Sequence, residues 1–373
     1  MLSAWRALLP SLGDYANLRY TWRQDVTAGV TVGIVALPLA LAFGVSSGVS
    51  AEAGLITAIV AGLIAAIFGG SNVQVSGPTG AMVVILAPIV VTHGVAAIAL
   101  VSLMAGLIVL IAGLLKLGRS VSFIPWPVIE GFTLGIGVII FLQQIPAAVG
   151  FTGPLPTSTP AAAWHSLTHA EWPTAFLPLS VAAAVMIIMV LLGRFAPKVP
   201  ASFVAIITVT LAVLLFKIPA DDIGEIPQSL PAPTLPVMNP ELVQALIGPA
   251  FAVAALAAIE SLLSARVAAS MADTGPYNAD RELVGQGLAS IGAGFFGGMP
   301  ATGAIARTSV NVRSGGRTRV SSIVHALVLL AVVYLAAGVV SVIPLAALSG
   351  VLMITAARMV NLGVASRVLR STR

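Results

Sequence analysis

Long apolar runs separated by short polar pieces dominate the chain from Val26 to Met359. We count roughly twelve runs, each of about the 17 to 25 residues that an α-helix needs to cross a bilayer. The runs do not alternate apolar and polar residues, as the strands of an outer-membrane barrel would. The pattern therefore predicts an all-α, polytopic membrane protein.

Composition agrees with a protein that lives in lipid. Hydrophobic residues make up 58% of the chain and charged residues only 8%, whereas a soluble domain carries about 25% charged residues. The absence of cysteine excludes disulfides and thiolate metal sites. The net charge of +5 is spread among loop ends rather than gathered in a basic domain. We expect the lipid bilayer as a partner, no nucleic acid and no cofactor.

The positions of the basic residues predict an orientation. Two long polar stretches, residues 150–173 and 219–241, contain no Lys or Arg. A cytoplasmic N-terminus places nearly all the basic loop residues on the cytoplasmic side, as the positive-inside rule requires. We therefore predict a multi-pass protein of the cell inner membrane. The cytoplasmic cations are Lys116, Arg119, Arg194, Lys198, Arg281, Arg313, Arg317, Arg319, Arg358, Arg367, Arg370 and Arg373.

One motif pair occurs in both halves of the chain. Phe68-Gly69-Gly70 is followed by Thr79-Gly80-Ala81, and Phe296-Gly297-Gly298 is followed by Thr302-Gly303-Ala304. Hydrophobic segments broken by Gly and Pro at matching positions of two halves indicate a transporter site built from discontinuous helices. Ordinary kinks or close helix packing are the alternative interpretation.

The broken helices suggest what such a site binds. A helix that begins inside the membrane presents unpaired N–H groups and a partial positive charge, for which an anion is the natural acceptor. Small residues around the breaks would let an anion approach the backbone, and Thr79 and Thr302 would add hydroxyls. The small residues are Gly80, Ala81, Gly303, Ala304 and Ala306.

Two charged residues fall within the apolar runs near these breaks, and such residues are functional candidates by default. Arg307 follows the second motif and is expected to pair with an anion, snorkelling or an internal ion pair being the alternatives. Glu260 shares a helix face with Ser264. A carboxylate removed from water can bind H⁺ or, with hydroxyls nearby, Na⁺; a structural pairing with Arg307 or Arg266 is the alternative.

The ordered motifs resemble the sulfate permease (SulP) family of anion transporters. The matching stretches are Ala28 to Pro38, Ser76 to Thr79, and the segment from Glu260 through Gly285-Gln286-Gly287 to Arg307 and Arg317. The resemblance implies an inverted repeat of seven plus seven segments and elevator-type alternating access. It further implies a core domain over residues 24–118 and 242–343 and a gate domain over residues 119–241 and 344–373.

The same resemblance implies which residues face the ligand. Many members have Gln where this chain has Leu39, and some have Ser where it has Ala306, which leaves more of the binding to backbone amides. Members usually continue with two further membrane segments and a STAS domain. Because this chain stops at Arg373, we expect an incomplete gate and no STAS domain. The implied substrate-binding residues are Phe43, Thr79, Gly80, Ala81, Thr302, Gly303, Ala304, Ile305, Ala306 and Arg307, and the implied ion-coupling residues are Glu260 and Ser264.

We expect a secondary active transporter of small anions rather than an enzyme. The leading prediction is proton-coupled symport of a carboxylate such as a C4-dicarboxylate, resembling fumarate, because apolar residues would suit a carbon backbone. The alternatives are a sulfate or bicarbonate transporter coupled to H⁺ or Na⁺, or an anion channel, which would need a continuous wet pathway. A homodimeric assembly is left open.

Overall fold

The computed structural model describes residues 8–121, 126–156, 158–197, 199–271, 275 and 277–360. A short 3₁₀ turn, Leu12–Tyr15, precedes the first helix. The helices are α1 (Leu18–Ser46), α2 (Ala51–Phe68), α3 (Gly80–His93), α4 (Ala96–Leu114), α5 (Gly118–Val121), α6 (Trp126–Gln143), α7 (Ile145–Ala148), α8 (Thr159–His169), α9 (Phe176–Phe195), α10 (Ala201–Leu215), α11 (Pro240–Met271), α12 (Ala279–Phe295), α13 (Ile305–Arg313), α14 (Arg319–Ser341) and α15 (Leu345–Met359). Two short strands are β1 (Ser76–Gly77) and β2 (Thr302–Gly303).

The all-α membrane architecture predicted from the sequence is confirmed. Within the described ranges, six helices are long and apolar enough to cross a bilayer, and four more are apolar but shorter. Large apolar side chains on α10 and just after it are open to the surroundings, including Leu215 at 78% and Phe216 at 77% exposure. Such exposure suits a surface that faces lipid.

The chain divides into two compact units. Unit 1 comprises Met1–Phe123 and Pro227–Ala336, and unit 2 comprises Ile124–Ile226 and Ala337–Arg373. Both short strands and both helices that follow them belong to unit 1. The core and gate ranges given above remain a prediction.

Helix α12 lies at the centre of unit 1, where it packs against α2, α4 and α11. Small side chains make this packing close, as is usual between membrane helices. One buried cluster at the contact with α2 consists of Ala61, Ala65, Ala289, Ala293 and Ala301. The first turn of α12 is charged yet buried, and the side chain of Asn278 caps it by accepting hydrogen bonds from the N–H groups of Asp280 and Arg281.

Unit 2 contains a helix that the pattern of apolar runs does not predict. Helix α8 lies within the stretch 150–173, which the sequence indicates only as a polar connection. It begins at Thr159 with Pro160 in its first turn, followed by three alanines. Proline is favoured in a first helical turn and alanine is the strongest helix former, so local propensity explains the helix.

Candidate functional site

The two broken helices of the predicted repeat are both present, and a small sheet joins them. β1 pairs antiparallel with β2, with Ser76 opposite Gly303 and Gly77 opposite Thr302. Helix α3 begins three residues after β1, and α13 begins two residues after β2. The sheet therefore brings the N-termini of two helices to one region of unit 1.

Neither of these N-termini is capped by its own N-cap side chain. Thr79 precedes α3 and Ala304 precedes α13, both with extended backbones and without a side-chain capping bond. The first-turn N–H groups of a helix have no intrahelical partner, and the helix dipole adds partial positive charge there. Two such ends in one region form a suitable environment for an anion.

Glu260 of α11 joins the two breaks. Its Oε2 atom accepts hydrogen bonds from the hydroxyls of Thr79 and Thr302, each at 2.8 Å. The two hydroxyl oxygens lie 3.2 Å apart. Three oxygen atoms from three elements are thus within hydrogen-bonding distance of one another, an arrangement that can hold a proton or a small cation. The carboxylate makes no ion pair within 4 Å in the described ranges.

Arg307 lies in the first turn of α13 and is 2% exposed. Its Nη2 atom donates a hydrogen bond to the carbonyl oxygen of Pro78 at 2.5 Å. Its Nη1 atom is buried and has no hydrogen-bond partner among the described residues. A buried guanidinium donor left without an acceptor is costly. A bound anion would satisfy this unpaired donor.

Gly77 makes room for this guanidinium. Its φ is +152°, a conformation that side chains rarely adopt, and a Cβ atom there would lie 2.6 Å from Nη1 of Arg307. A side chain at this position would strain the backbone and displace the guanidinium, so glycine is favoured here.

Ser264, the second residue predicted for ion coupling, has a different contact. Its hydroxyl lies 3.2 Å from the hydroxyl of Thr308 in α13, and no hydrogen bond joins it to Glu260 within the described part. One turn earlier, the Ser261 hydroxyl accepts a hydrogen bond from the N–H of Gly303 at 3.0 Å. These two serines hold β2 and α13 against α11.

The other predicted ligand-facing residues differ in exposure. Phe43 is buried on α1, a helix that contacts both α3 and α13. Ile305 is half-buried and Ala306 is exposed. The remaining small residues, Gly80, Ala81, Gly303 and Ala304, are buried at the two breaks.

A supporting network surrounds Glu282, a residue that the sequence did not single out. Glu282 is 1% exposed, and its carboxylate is bonded to protein donors on both oxygens. Gln286, one turn further on, donates to Glu282 at 2.9 Å and to the Ser76 hydroxyl of β1 at 2.5 Å. The other donors to Glu282, at 2.8–3.1 Å, are the N–H groups of Gly70 and Ser71 and the side-chain amide of Gln74. The network positions the chain leading into β1.

A second cluster, also not predicted from the sequence, ties the N-terminal 3₁₀ turn to other parts of unit 1. Asp14 forms an ion pair with Arg281 at 2.7 Å and lies 3.7 Å from Arg319. Burial raises the pKa of Asp14, but hydrogen bonds from Arg281 and Ser11 and the charges of Arg319 and Arg281 outweigh that effect and lower the pKa to about 2. Arg281 also donates to the carbonyl oxygen of Phe68 at the end of α2. The cluster thus holds together four separate parts of the chain.

One stretch carries the spacing of a hydrolase nucleophile but not its structure. Gly44-Val45-Ser46-Ser47-Gly48 matches Gly-x-Ser-x-Gly, yet it forms the C-terminal end of helix α1. A nucleophile elbow requires a turn between a strand and a helix. The serine at the nucleophile position, Ser46, is the last residue of that helix. The stretch therefore ends a helix and presents no nucleophile elbow.

Curated relatives of the chain are transporters rather than enzymes. The putative sulfate transporter YvdB of Bacillus subtilis (strain 168) is 37% identical over 342 residues, which is 90% of this chain and 64% of that protein. The bicarbonate transporter BicA of Synechocystis sp. (strain ATCC 27184 / PCC 6803 / Kazusa) is 36% identical over 341 residues, 88% of this chain and 59% of that protein. The chain thus spans less than two thirds of the length of these relatives.

A solved structure and a family description agree with these relatives. The transmembrane domain of a cyanobacterial bicarbonate transporter, BicA, superposes with a TM-score of 0.85 at 34% identity, covering 94% of this chain and 91% of that one. Residues 22–373 match the description of the sulfate permease family. The chain belongs to the sulfate permease family.

Proposed function

We propose that the chain carries a small inorganic oxyanion across the bilayer together with a cation. The observation that carries this proposal is the unpartnered Nη1 atom of the buried Arg307, beside two helix N-termini that lack side-chain caps. A fixed cation with a free donor and two positive helix ends is suited to a compact, hydrogen-bond-accepting anion.

The charge of Glu260 supplies a reason for coupling. Its carboxylate lies in the same region as Arg307 and opposes the positive potential that attracts the anion. A cation bound at Glu260, Thr79 and Thr302 would cancel that opposing charge and raise the affinity for the anion. By reciprocity, bound anion would raise the affinity for the cation, so the two would move together.

Bicarbonate is the first substrate of the proposal, and sulfate is the second. Bicarbonate is supported by the similarity to the BicA transmembrane domain, and sulfate by the similarity to YvdB. The C4-dicarboxylate of the sequence prediction has no counterpart in the names of these relatives. Both inorganic ions are compact hydrogen-bond acceptors. Buried small residues such as Ala81 and Ala304 leave room for such an ion close to the backbone.

The choice of anion constrains the choice of cation. Symport of H⁺ with bicarbonate is equivalent in net effect to moving CO₂ and water, which cross a bilayer unaided, so Na⁺ is the consistent partner for bicarbonate. Sulfate has no such restriction and can move with H⁺. An anion channel through the same helix ends remains the rival mechanism, and it predicts flux without saturation or coupling.

We also propose that unit 1 is the core domain that carries the anion and that unit 2 is the gate domain. The support is that Glu260, Arg307 and both broken helices belong to unit 1. Elevator-type movement of unit 1 is the form of alternating access that this assignment predicts.

Uptake into proteoliposomes tests the proposal. Labelled bicarbonate, sulfate and fumarate would each be offered with an inward Na⁺ gradient, an inward H⁺ gradient, or neither. Saturable bicarbonate uptake that rises with Na⁺, or sulfate uptake that rises with H⁺, supports the proposal and selects its branch. Uptake of fumarate alone, or unsaturable flux, would overturn it.

A further inference from the structure

A group of exposed arginines at one end of unit 1 lies outside the proposed anion site. Arg19 and Arg23 are four residues apart at the start of helix α1, and both side chains are exposed. Arg317 is exposed in the short connection between α13 and α14. All three residues belong to unit 1. The proposed transport mechanism gives these three cations no role.

Tertiary contacts bring the connection that carries Arg317 against the start of α1. The backbone N–H of Arg317 donates a hydrogen bond to Oδ1 of Asp25 at 2.7 Å. A Cβ atom on Gly315 would lie 3.8 Å from the Cβ atom of Gln24. Asp25 follows Arg23 by two residues in α1. The three arginines therefore lie at the same end of the unit.

The described residues supply no counter-ion to these arginines. Ion pairs within 4 Å in those ranges involve only Arg281 and Arg319, both with Asp14. Asp25 is fully buried, and its carboxylate already accepts hydrogen bonds from two backbone N–H groups and two hydroxyls. The first turn of α1 contains no acidic residue, although the helix dipole disfavours cations there. The surface is therefore suited to an anionic partner from outside the chain.

Exposed aromatic and apolar side chains lie among the arginines of α1. The guanidinium of Arg19 lies 4.5 Å from the centroid of the exposed Tyr20 ring. The guanidinium of Arg23 lies 5.3 Å from the centroid of the exposed Trp22 ring. Val26, one turn beyond Trp22, is exposed as well. Tyrosine and tryptophan are enriched where lipid headgroups meet the hydrocarbon of a bilayer, so this surface has the composition of a lipid contact.

We propose that this surface binds an anionic phospholipid such as phosphatidylglycerol. The phosphate would pair with Arg19, Arg23 and Arg317, because guanidinium groups offer phosphate two parallel donors and basic clusters beside a membrane helix attract anionic lipids. The acyl chains would pass along α1 beside Trp22 and Val26. A soluble anion would neutralise the arginines but would leave these two apolar side chains uncovered, which favours a lipid.

The bound lipid would act on the packing of unit 1. It would hold the Arg317 connection against α1, and α1 in turn contacts α3 and α13. We therefore expect anionic lipid to stabilise unit 1 against unfolding. The inference does not rest on the proposed transport, because lipid binding is measured without any flux.

Thermal unfolding of the full chain in detergent tests the inference. Phosphatidylglycerol is expected to raise the melting temperature of the wild type more than the zwitterionic phosphatidylcholine does. The double variant Arg19→Gln/Arg23→Gln should lose most of that difference. Arg194→Gln/Lys217→Gln removes the same charge from exposed positions of unit 2 and should keep it. Equal losses in the two double variants would overturn the inference.

Two soluble probes separate a lipid from other anions. Glycerol phosphate has the headgroup chemistry without acyl chains, and polyglutamate represents an acidic protein segment. Neither is expected to raise the melting temperature at the concentration at which phosphatidylglycerol does. An equal rise with either probe would overturn the assignment to a lipid.

Fluorescence quenching by brominated lipids gives a readout that does not depend on unfolding. The difference in emission between the wild type and Trp22→Phe isolates Trp22 among the five tryptophans of the chain. Brominated phosphatidylglycerol is expected to quench Trp22 at a mole fraction at least about tenfold lower than brominated phosphatidylcholine. Arg19→Gln/Arg23→Gln should remove this preference. Equal quenching by the two lipids, or a preference that the double variant keeps, would overturn the inference.

Discussion

Arg307 of α13 donates a hydrogen bond to the carbonyl oxygen of Pro78, two residues before α3, at 2.5 Å. The cation in the first turn of one broken helix therefore holds the chain that leads into the other. The Thr79 and Thr302 hydroxyls, one beside each broken helix, both donate hydrogen bonds to Glu260 and so connect the two helices a second time. The proposed anion and cation sites thus share the same stretch of backbone, so we expect the occupancy of one to affect the other.

Substitution of Glu260 is expected to remove coupling. In Glu260→Gln the amide keeps an acceptor for the two threonine hydroxyls but cannot hold a cation by charge. Uptake that depends on a Na⁺ or H⁺ gradient in the wild type should become independent of both gradients. Glu241→Gln, at an exposed position in the first turn of the same helix, is the control and should keep the dependence. Persistent coupling in Glu260→Gln would show that the cation binds elsewhere.

Gly77→Ala is expected to disturb the position of the Arg307 guanidinium. The new methyl group would lie 2.6 Å from Nη1 of Arg307 and would add strain at a φ of +152°. Steric and backbone penalties of this kind cost about 1–3 kcal/mol. We expect a lower melting temperature and weaker anion uptake, measured in detergent and in proteoliposomes. Gly248→Ala in α11, where a methyl group meets nothing within 4 Å, should leave uptake unchanged and should not lower the melting temperature.

Glu282→Gln is expected to destabilise unit 1. The wild-type carboxylate accepts four hydrogen bonds, whereas a glutamine amide would turn one oxygen into a donor facing other donors. An unpaired buried donor costs about 1–3 kcal/mol. Thermal unfolding should shift to lower temperature. Glu225→Gln, at an exposed site, provides the same charge change as a control. Equal melting temperatures for the two variants would mean that the network does not support β1.

The Asp14 cluster predicts a pH dependence of stability. The folded-state pKa of Asp14 is about 2, below its ordinary 3.8, so its stabilising contribution is present above pH 3.8 and is lost as pH falls through about 2. The contribution is at most about 2 kcal/mol and is reduced by partial solvation of the pair.

Asp14→Asn should therefore melt at a lower temperature than the wild type at neutral pH. The difference should shrink as the pH is lowered from about 4 toward 2. Asp221→Asn, at an exposed loop position, is the control. A difference that stays constant over that range would contradict the assigned role of the charge.

Much of the fold follows from sequence, but the supporting network does not. The paired Phe-Gly-Gly and Thr-Gly-Ala motifs predict the two broken helices because local sequence breaks a helix. The sequence also indicates Thr79, Thr302 and Glu260 as site residues, and the structure brings their oxygens within 3.2 Å of one another.

No local sequence motif indicates the role of Glu282. Its partners Gly70 and Ser71 lie more than 200 residues away in the chain. Its charged neighbours make the start of α12 resemble a surface loop, although tertiary hydrogen bonds bury it. Helix α8 is not predicted for a different reason. Long apolar runs indicate membrane helices, whereas α8 lacks such a run and forms because its alanines favour a helix.

The most direct test of the account concerns Arg307. Labelled bicarbonate and sulfate uptake would be compared for the wild type, Arg307→Lys, and Arg313→Lys, the last altering an exposed arginine at the end of the same helix. Lysine keeps the charge but cannot both bond Pro78 and direct a second planar donor to an anion. We predict that Arg307→Lys raises the KM for the transported anion by about 10- to 100-fold, equivalent to about 1.4–2.7 kcal/mol, while Arg313→Lys leaves it unchanged. An unchanged KM in Arg307→Lys would show that the anion does not bind at the two helix N-termini.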